Sequence, residues 1–224
     1  MPRPLPARVV AATAGHHDAV RDHILDAAHR VIARHGLAAA STRAIAAEAG
    51  IGAGTLYNYL DNRLQLLARS ILRRAHLLSQ PLADLPSRAG SGTVAGNLRD
   101  FAHQVTTVLD QLVPLFAAAF SDADLLHALR HEISTGAHAA GTSAAGPVER
   151  YLLAERELGR IAPDADCSAA AALVVSLCHD RAFHRFFRGE TGDPKPLGRE
   201  IDLIAHAVTT PRQLRPFRGR NHVR

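Results

Sequence analysis

The chain has 224 residues, 47% of them hydrophobic and 21% charged, with a formal net charge of +5. That balance gives a packed core and excludes a disordered polyelectrolyte. No apolar run reaches the roughly eighteen residues of a membrane-spanning helix, residues 1–17 lack the apolar core of a signal peptide, and two cysteines make no disulfide framework. A cytoplasmic, reducing setting without membrane association is therefore expected. The positive charge is unevenly placed. Arg212, Arg215, Arg218, Arg220 and Arg224, with no acid among them, carry a charge equal to the whole surplus. A sequence pI near 10.0 thus describes a basic tail more than a basic fold.

In chain order, residues 1–17 read as a flexible arm. Val20, Ile24, Ala27, Ala28, Val31 and Ile32 then recur at three- and four-residue steps, which predicts an amphipathic helix over 18–35. Gly36 is expected to stop it in the left-handed region. Ser41 offers an N-cap for a short helix over 42–49, which Gly50 ends. Another short helix is predicted over 53–60, and Asp61 or Asn62 caps a long one carrying Leu64, Leu67, Ala68, Ile71, Leu72, Ala75 and Leu78. Pro81 and Pro86, with Gly90, Gly92 and Gly96, break the chain. A helix over 94–112 follows, and Pro114 is expected to interrupt it and leave 115–120 as a separate short piece.

Further helices are predicted over 122–134, 147–160, 167–189 and 196–210, with the small residues of 136–147 as a linker. No stretch alternates with period two. The expected fold class is all-α, with a head over 18–63, a larger helical domain over 64–211, and a basic tail over 212–224.

The segment from Ser41 to Arg63 carries most of the functional information. Two short helices separated by a turn containing Gly50 and Gly52 make a helix-turn-helix arrangement. Ala46, Ala49 and Gly50 permit close crossing, and Ile45, Ile51, Leu56 and Leu60 fill the space beneath. Thr55, Tyr57, Asn58 and Tyr59 are left to face outward, and hydroxyl and amide tips suit phosphates and base edges. Spacing alone equally allows a helical hairpin with surface tyrosines.

The residues themselves go further. Ile24-Leu25-Asp26-Ala27-Ala28, Gly36, Ser41-Thr42-Arg43, Ile45-Ala46, Ala49-Gly50-Ile51, Gly54-Thr55-Leu56-Tyr57 and Tyr59 stand in an order and spacing that resemble the DNA-binding head of the TetR family of bacterial transcriptional regulators. Several positions depart from that pattern. Gly52 stands where the family usually has a capping residue, Ala53 replaces a commonly polar one, Ile32 and Leu60 take positions often filled by Phe, and Arg63 stands for Lys.

The resemblance implies a three-helix head on a helical ligand-binding and dimerisation domain. It also implies a homodimer that binds a double-stranded DNA operator and responds to a small, apolar effector, acting as a repressor. Arg43 and Tyr57 are the expected base contacts, with Ala53, Gly54 and Asn58 along the groove. Ser41, Thr42, Thr55, Tyr59 and Arg63 are expected to hold phosphates. Helices near 147–160 and 167–189 are expected to pair with their symmetry mates. Phe101, His103, Phe116, Phe120, His127 and Phe183 are expected to line an effector pocket.

Other constellations carry less. His127 and His131, or Asp180 and His184, share a helical face, but fourteen histidines make such pairs common, and neither a metal nor a cofactor is expected. Ser176, His179 and Asp180 resemble a hydrolase set in composition only, without the strand-turn-helix elbow that such a nucleophile needs, and no enzyme activity is expected. Cys167 and Cys178 sit about 16 Å apart along one helix, too far to bridge. The rival reading is a helical small-molecule-binding protein whose head no longer recognises an operator, for which Gly52 and Ala53 argue.

Overall fold

The computed structural model describes residue 6, residues 9–10, residues 16–135 and residues 144–211. The expected linker at 136–147 and tail at 212–224 fall mostly or wholly outside the described residues, as does most of the arm at 1–17. Among the described residues the elements in order are α1 (His17–His35), α2 (Thr42–Ala49), α3 (Ala53–Leu56), α4 (Arg63–Ser79), a 3-10 helix (Gln80–Arg88), α5 (Val94–Phe120), α6 (Ala123–Ser134), α7 (Ala145–Glu157), α8 (Cys167–Arg188) and α9 (Gly198–Thr209). No strand occurs among them, and no helix is long and apolar enough to cross a membrane.

The chain divides into two compact units. The first comprises Met1–Pro81, Thr107–Ser143 and Ala182–Thr191. The second comprises Leu82–Thr106, Ala144–Arg181 and Gly192–Arg224.

In the first unit, α1 packs on α2 and α4, α2 on α3, and α4 on α6. Apolar residues at helical spacing cause this. Val20, Ile24, Ala27, Ala28, Val31 and Ile32 form the buried stripe of α1. Leu66, Leu67, Ile71 and Leu72 form that of α4 and are almost fully enclosed, at about 1.5–3 kcal/mol for each such side chain. Leu125 and Leu129 of α6 join the same core. So does Val9, which is 1% exposed, and the Val9 and Val10 amides donate to the Pro6 carbonyl at 2.9 and 3.1 Å. Arg73 of α4 reaches Asp22 and Asp26 of α1 at 3.0 and 2.9 Å. Ser70 Oγ donates to the Leu25 carbonyl at 2.9 Å, which satisfies a hydroxyl that is otherwise buried.

In the second unit, buried Leu98, Phe101, Ala102 and Val105 of α5 are joined by Val148, Tyr151 and Leu152 of α7 and Val174 and Cys178 of α8. The buried Asn97 amide donates to Tyr151 Oη at 3.0 Å and to the Ser91 carbonyl at 2.8 Å. Arg160 pairs with the fully buried Glu155 at 3.1 Å and donates to the Gly92 carbonyl at 2.7 Å.

Three expectations about elements are corrected. Pro114 does not interrupt its helix, since α5 continues from Val94 to Phe120. Proline removes one amide and crowds the preceding turn, but Pro114 is exposed and the apolar stripe continues on either side of it. The predicted helix over 53–60 shrinks to Ala53–Leu56 and passes into turns. Gly36 has positive φ, as expected, but at φ 79 and ψ 168 it adopts an extended conformation that essentially only glycine reaches.

Candidate nucleic-acid interface

The head is built around the two ends of α2. Ser41, in extended conformation, accepts a hydrogen bond on its side-chain oxygen from the Ala44 amide at 3.1 Å and so caps α2. At the other end Gly50 takes the left-handed conformation, φ 71 and ψ 30. The Ile51 amide donates back to Ala46 at 2.9 Å and the Gly50 amide to Ala47 at 3.1 Å. This paired closure turns the chain sharply and satisfies carbonyls that would otherwise be orphaned. α2 is clamped to α1 by Glu48, which receives Arg30 Nε at 2.7 Å and also pairs with Arg34. Those hydrogen bonds, Arg30's first, hold the Glu48 carboxyl below its ordinary pKa. His23 Nε2 meets the Ala49 carbonyl at 3.0 Å.

α3 begins without a side-chain cap, because Gly52 supplies none. Past Leu56, the Asn58 amide donates to Thr55 and the Tyr59 amide to Leu56 at 3.2 and 3.0 Å. These three-residue steps are turns, and the β-branched and aromatic residues here have little intrinsic drive to extend a helix.

The expected DNA-facing residues separate into two groups. Ser41, Arg43, Ala53, Gly54, Tyr57 and Asn58 are exposed, and Tyr57 is 55% exposed. Arg43 sits in the first turn of α2, and among the described residues no hydrogen bond or ion pair engages it. Gly54 has open space where a side chain would be, with nothing within 4 Å.

Thr55, expected to face outward, is instead buried at 6% exposure, as Leu56 and Leu60 are. Thr42 and Tyr59 are half-buried, and the Tyr59 ring lies 4.7 Å from that of His17, centroid to centroid. Arg63 is half-buried too. Its Nε donates to the Ala40 carbonyl at 3.0 Å and its Nη2 to that of Leu37 at 3.3 Å, which ties the start of α4 to the loop before α2.

A groove of about 410 Å³ opens within the first unit between the start of α4 and one face of α6. Asn62, Leu64 and Gln65 form one wall, and Asp124, His127, Ala128, His131 and Glu132 the other. Glu132 is buried and paired with Arg69 at 2.9 Å. Spacing marked only His127 and His131 of this set. The rest of the α6 wall, at steps of three and four from them, was legible as a shared face, but nothing local indicates that α4 stands opposite.

The six expected effector-lining residues divide between the two units. Phe101, buried, and His103, whose Nε2 is 3.6 Å from Asp193, belong to the second unit. Phe116, Phe120, His127 and Phe183 belong to the first. Phe116 packs on the head's core with its ring 6.1 Å from that of Phe120, and only His127 lines the groove. Among the described residues no three His, Cys, Asp or Glu side chains gather closely enough to hold a metal ion.

Residues 24–69 match the profile described as "Bacterial regulatory proteins, tetR family". No protein of curated function matches the chain in sequence. Among solved structures, a proposed TetR-family transcriptional regulator from Mesorhizobium loti is 19% identical, with 86% of this chain and 94% of that one covered, at a TM-score of 0.65. SmeT, the repressor of the Stenotrophomonas maltophilia multidrug efflux pump SmeDEF, is 22% identical, with 85% and 90% covered, at 0.54. The transcriptional regulator FadR from Bacillus subtilis, in complex with stearoyl-CoA, is 16% identical, with 84% and 97% covered, at 0.55. At these identities the likeness is one of fold.

Proposed function

Because residues 24–69 match the profile of the tetR family of bacterial regulatory proteins, we propose that this protein is a homodimeric, ligand-responsive transcriptional repressor, not an enzyme, that works on DNA in the cytoplasm. The observation that carries the reading is Arg43. It is an exposed guanidinium in the first turn of a capped helix, without an internal partner among the described residues, on the same head that leaves Tyr57 and Asn58 exposed. A fork of that kind suits guanine O6 and N7 in the major groove. Ala53, Gly54 and Asn58 line the groove face, with Ser41, Thr42, Tyr59 and Tyr57 close to the phosphates or base edges. Thr55 and Arg63 support the head from within.

The head over 18–63 then acts as the reader, and the domain over 64–211 as its control. The dimer reading draws on Leu173 of α8 and Leu203 of α9, both exposed on the second unit. α7, in contrast, buries Val148, Tyr151 and Leu152 inside its own unit. For the effector, the groove that contains His127 supports a site beside α4, the helix that follows the head. A fold shared with a stearoyl-CoA complex and an efflux-pump repressor favours an apolar compound.

The test is fluorescence anisotropy with duplex DNA from upstream of the coding region, across a salt series and with candidate apolar compounds. Steep salt dependence and competition between compound and DNA are expected, since a ligand shifts the equilibrium only through unequal affinity for two states. Absence of DNA binding at low salt would favour the rival, a small-molecule-binding protein with a silent head. The observation on that rival's side is the uncapped, four-residue α3.

A further inference from the structure

Two tyrosines belong to the proposed DNA face, and the head holds them differently. Tyr57 is 55% exposed, and among the described residues no hydrogen bond or ring contact engages its side chain. Tyr59 is half-buried, and its ring packs against the head's hydrophobic core. Its backbone is pinned as well. Leu56 and Leu60 are buried on either side of it in the chain, and the Tyr59 amide donates to the Leu56 carbonyl at 3.0 Å. Yet no hydrogen bond engages the Tyr59 hydroxyl among the described residues. The ring is packed while its polar tip stays uncommitted.

A second hold on that ring comes from α1. The rings of His17 and Tyr59 lie 4.7 Å apart, centroid to centroid, with their planes tilted by 35°. The register of α1 explains why His17 is there. His17, Val20 and Ile24 stand at steps of three and four, so they share one face of the helix, and Val20 and Ile24 are fully buried. His17 is the first residue of α1 and lies where that stripe reaches the surface, so it is exposed while its ring still meets Tyr59. No hydrogen bond or ion pair engages the His17 side chain among the described residues, and the ring contact is its specific tie to the head.

We propose that His17 is a positioning residue for DNA binding: together with the core, its ring holds the Tyr59 phenol so that the hydroxyl donates to a backbone phosphate. The inference rests on the DNA-binding reading above and brings α1 into the contact. A side chain fixed before binding loses less rotational freedom when the complex forms, and a ring-on-ring contact supplies that fixation at the rim of the core. Because phosphates carry no sequence information, the gain is alike on operator and unrelated DNA. The phenol is neutral, so it displaces no counterion and leaves the salt slope alone.

The experiment compares the full-length protein with His17→Ala, His17→Phe, Tyr59→Phe and the double variant His17→Ala/Tyr59→Phe. The probes are an upstream duplex and an unrelated duplex of equal length, measured by anisotropy across a salt series. Tyr59→Phe removes one hydrogen bond per protomer and is expected to lower affinity about tenfold on both duplexes, with an unchanged salt slope. His17→Ala is expected to lose about three- to tenfold, whereas His17→Phe, which keeps a ring against Tyr59, should stay within about twofold of the wild type. In the Tyr59→Phe background His17→Ala should cost less than about twofold, because the hydroxyl it positions is gone. If His17→Ala costs nothing, or costs the same in both backgrounds, the proposal is overturned, since His17 would not act through that hydroxyl. A His17→Phe variant as weak as His17→Ala also overturns it and assigns the work to the imidazole nitrogens. Unchanged affinity in Tyr59→Phe overturns it too and leaves Arg43 and the DNA-binding reading intact. Failure of the wild-type protein to bind either duplex removes both readings together.

Discussion

Arg43 and Arg63 carry the same charge and stand twenty residues apart, yet their surroundings assign them different work. Arg43 has no internal hydrogen bond or ion pair among the described residues, so its removal costs the folded head little. Arg43→Ala is expected to lose about 1–3 kcal/mol at a cognate operator and to relax preference at one base pair per half-site, with an unchanged melting temperature. Anisotropy on single-base variants of the operator would measure it, and equal loss on every duplex would make Arg43 a phosphate clamp only. Arg63 instead donates to two loop carbonyls. Arg63→Ala is expected to lower head stability by about 1–3 kcal/mol and to leave the salt slope alone, as urea unfolding and the same binding series would show.

His29 offers a residue-scale test through pH. Burial lowers its pKa from 6.5, and the nearby Arg74 lowers it further. The folded state therefore resists a proton that the unfolded chain accepts. Above about pH 6.5 both states are neutral at this position and stability is undiminished. As pH falls below that value the unfolded chain gains protons first, and stability declines until the folded pKa is passed. The melting temperature of His29→Gln is expected to fall less than that of the wild type on going from neutral pH to moderately acidic pH, and parallel curves would count against this account.

At the scale of elements, caps and stops explain where the helices end. Asn62 caps α4 by accepting from the Gln65 amide at 2.9 Å, while Gln65 Oε1 accepts from the Asp61 amide at 3.0 Å. This reciprocal pair should cost about 1 kcal/mol on Asn62→Ala. Gly36→Ala should cost more, about 1–3 kcal/mol, because its φ of 79 and ψ of 168 exclude a side chain. Nothing lies within 4 Å of a Cβ placed there, so the penalty is one of backbone strain and not of crowding. Denaturant titration of the two variants separates the effects, and a smaller loss for Gly36→Ala than for Asn62→Ala would contradict the assignment.

The same elements show how far the sequence could be read. α1, α2, α4 and α6 were legible because their apolar spacing and caps agree with their packing. The end of α3 and the course of α5 through Pro114 were not. There, local propensity pointed one way and the surrounding contacts decided otherwise. In the site, exposure at Arg43, Tyr57 and Asn58 followed from the pattern. The burial of Thr55 and the internal work of Arg63 depend on which face α3 and α4 turn toward the head, and that is set by partners distant in the chain.

For the whole molecule, the proposed dimer depends on apolar side chains that the chain leaves uncovered. Leu203 is 71% exposed on α9 and Leu173 is exposed on α8. Leu173→Asp/Leu203→Asp is expected to convert a micromolar dimer into a monomer by light scattering while helicity is retained, and a variant that stays dimeric would move the interface elsewhere. Cys167 and Cys178 give the molecule a built-in stopwatch. They are the chain's only cysteines, both are buried, and both belong to the second unit. Burial pushes the Cys178 thiol up to about 11 and also raises that of Cys167, so neither is readily ionised at neutral pH. Alkylation must then wait for that unit to open, and its rate relative to a free thiol counts the openings. No cysteine in the first unit adds to the signal. An effector that steadies the second unit should lengthen the interval between labelling events. If DNA bound at the head lengthens it too, the two units exchange free energy, and the ratio of the rates measures how much.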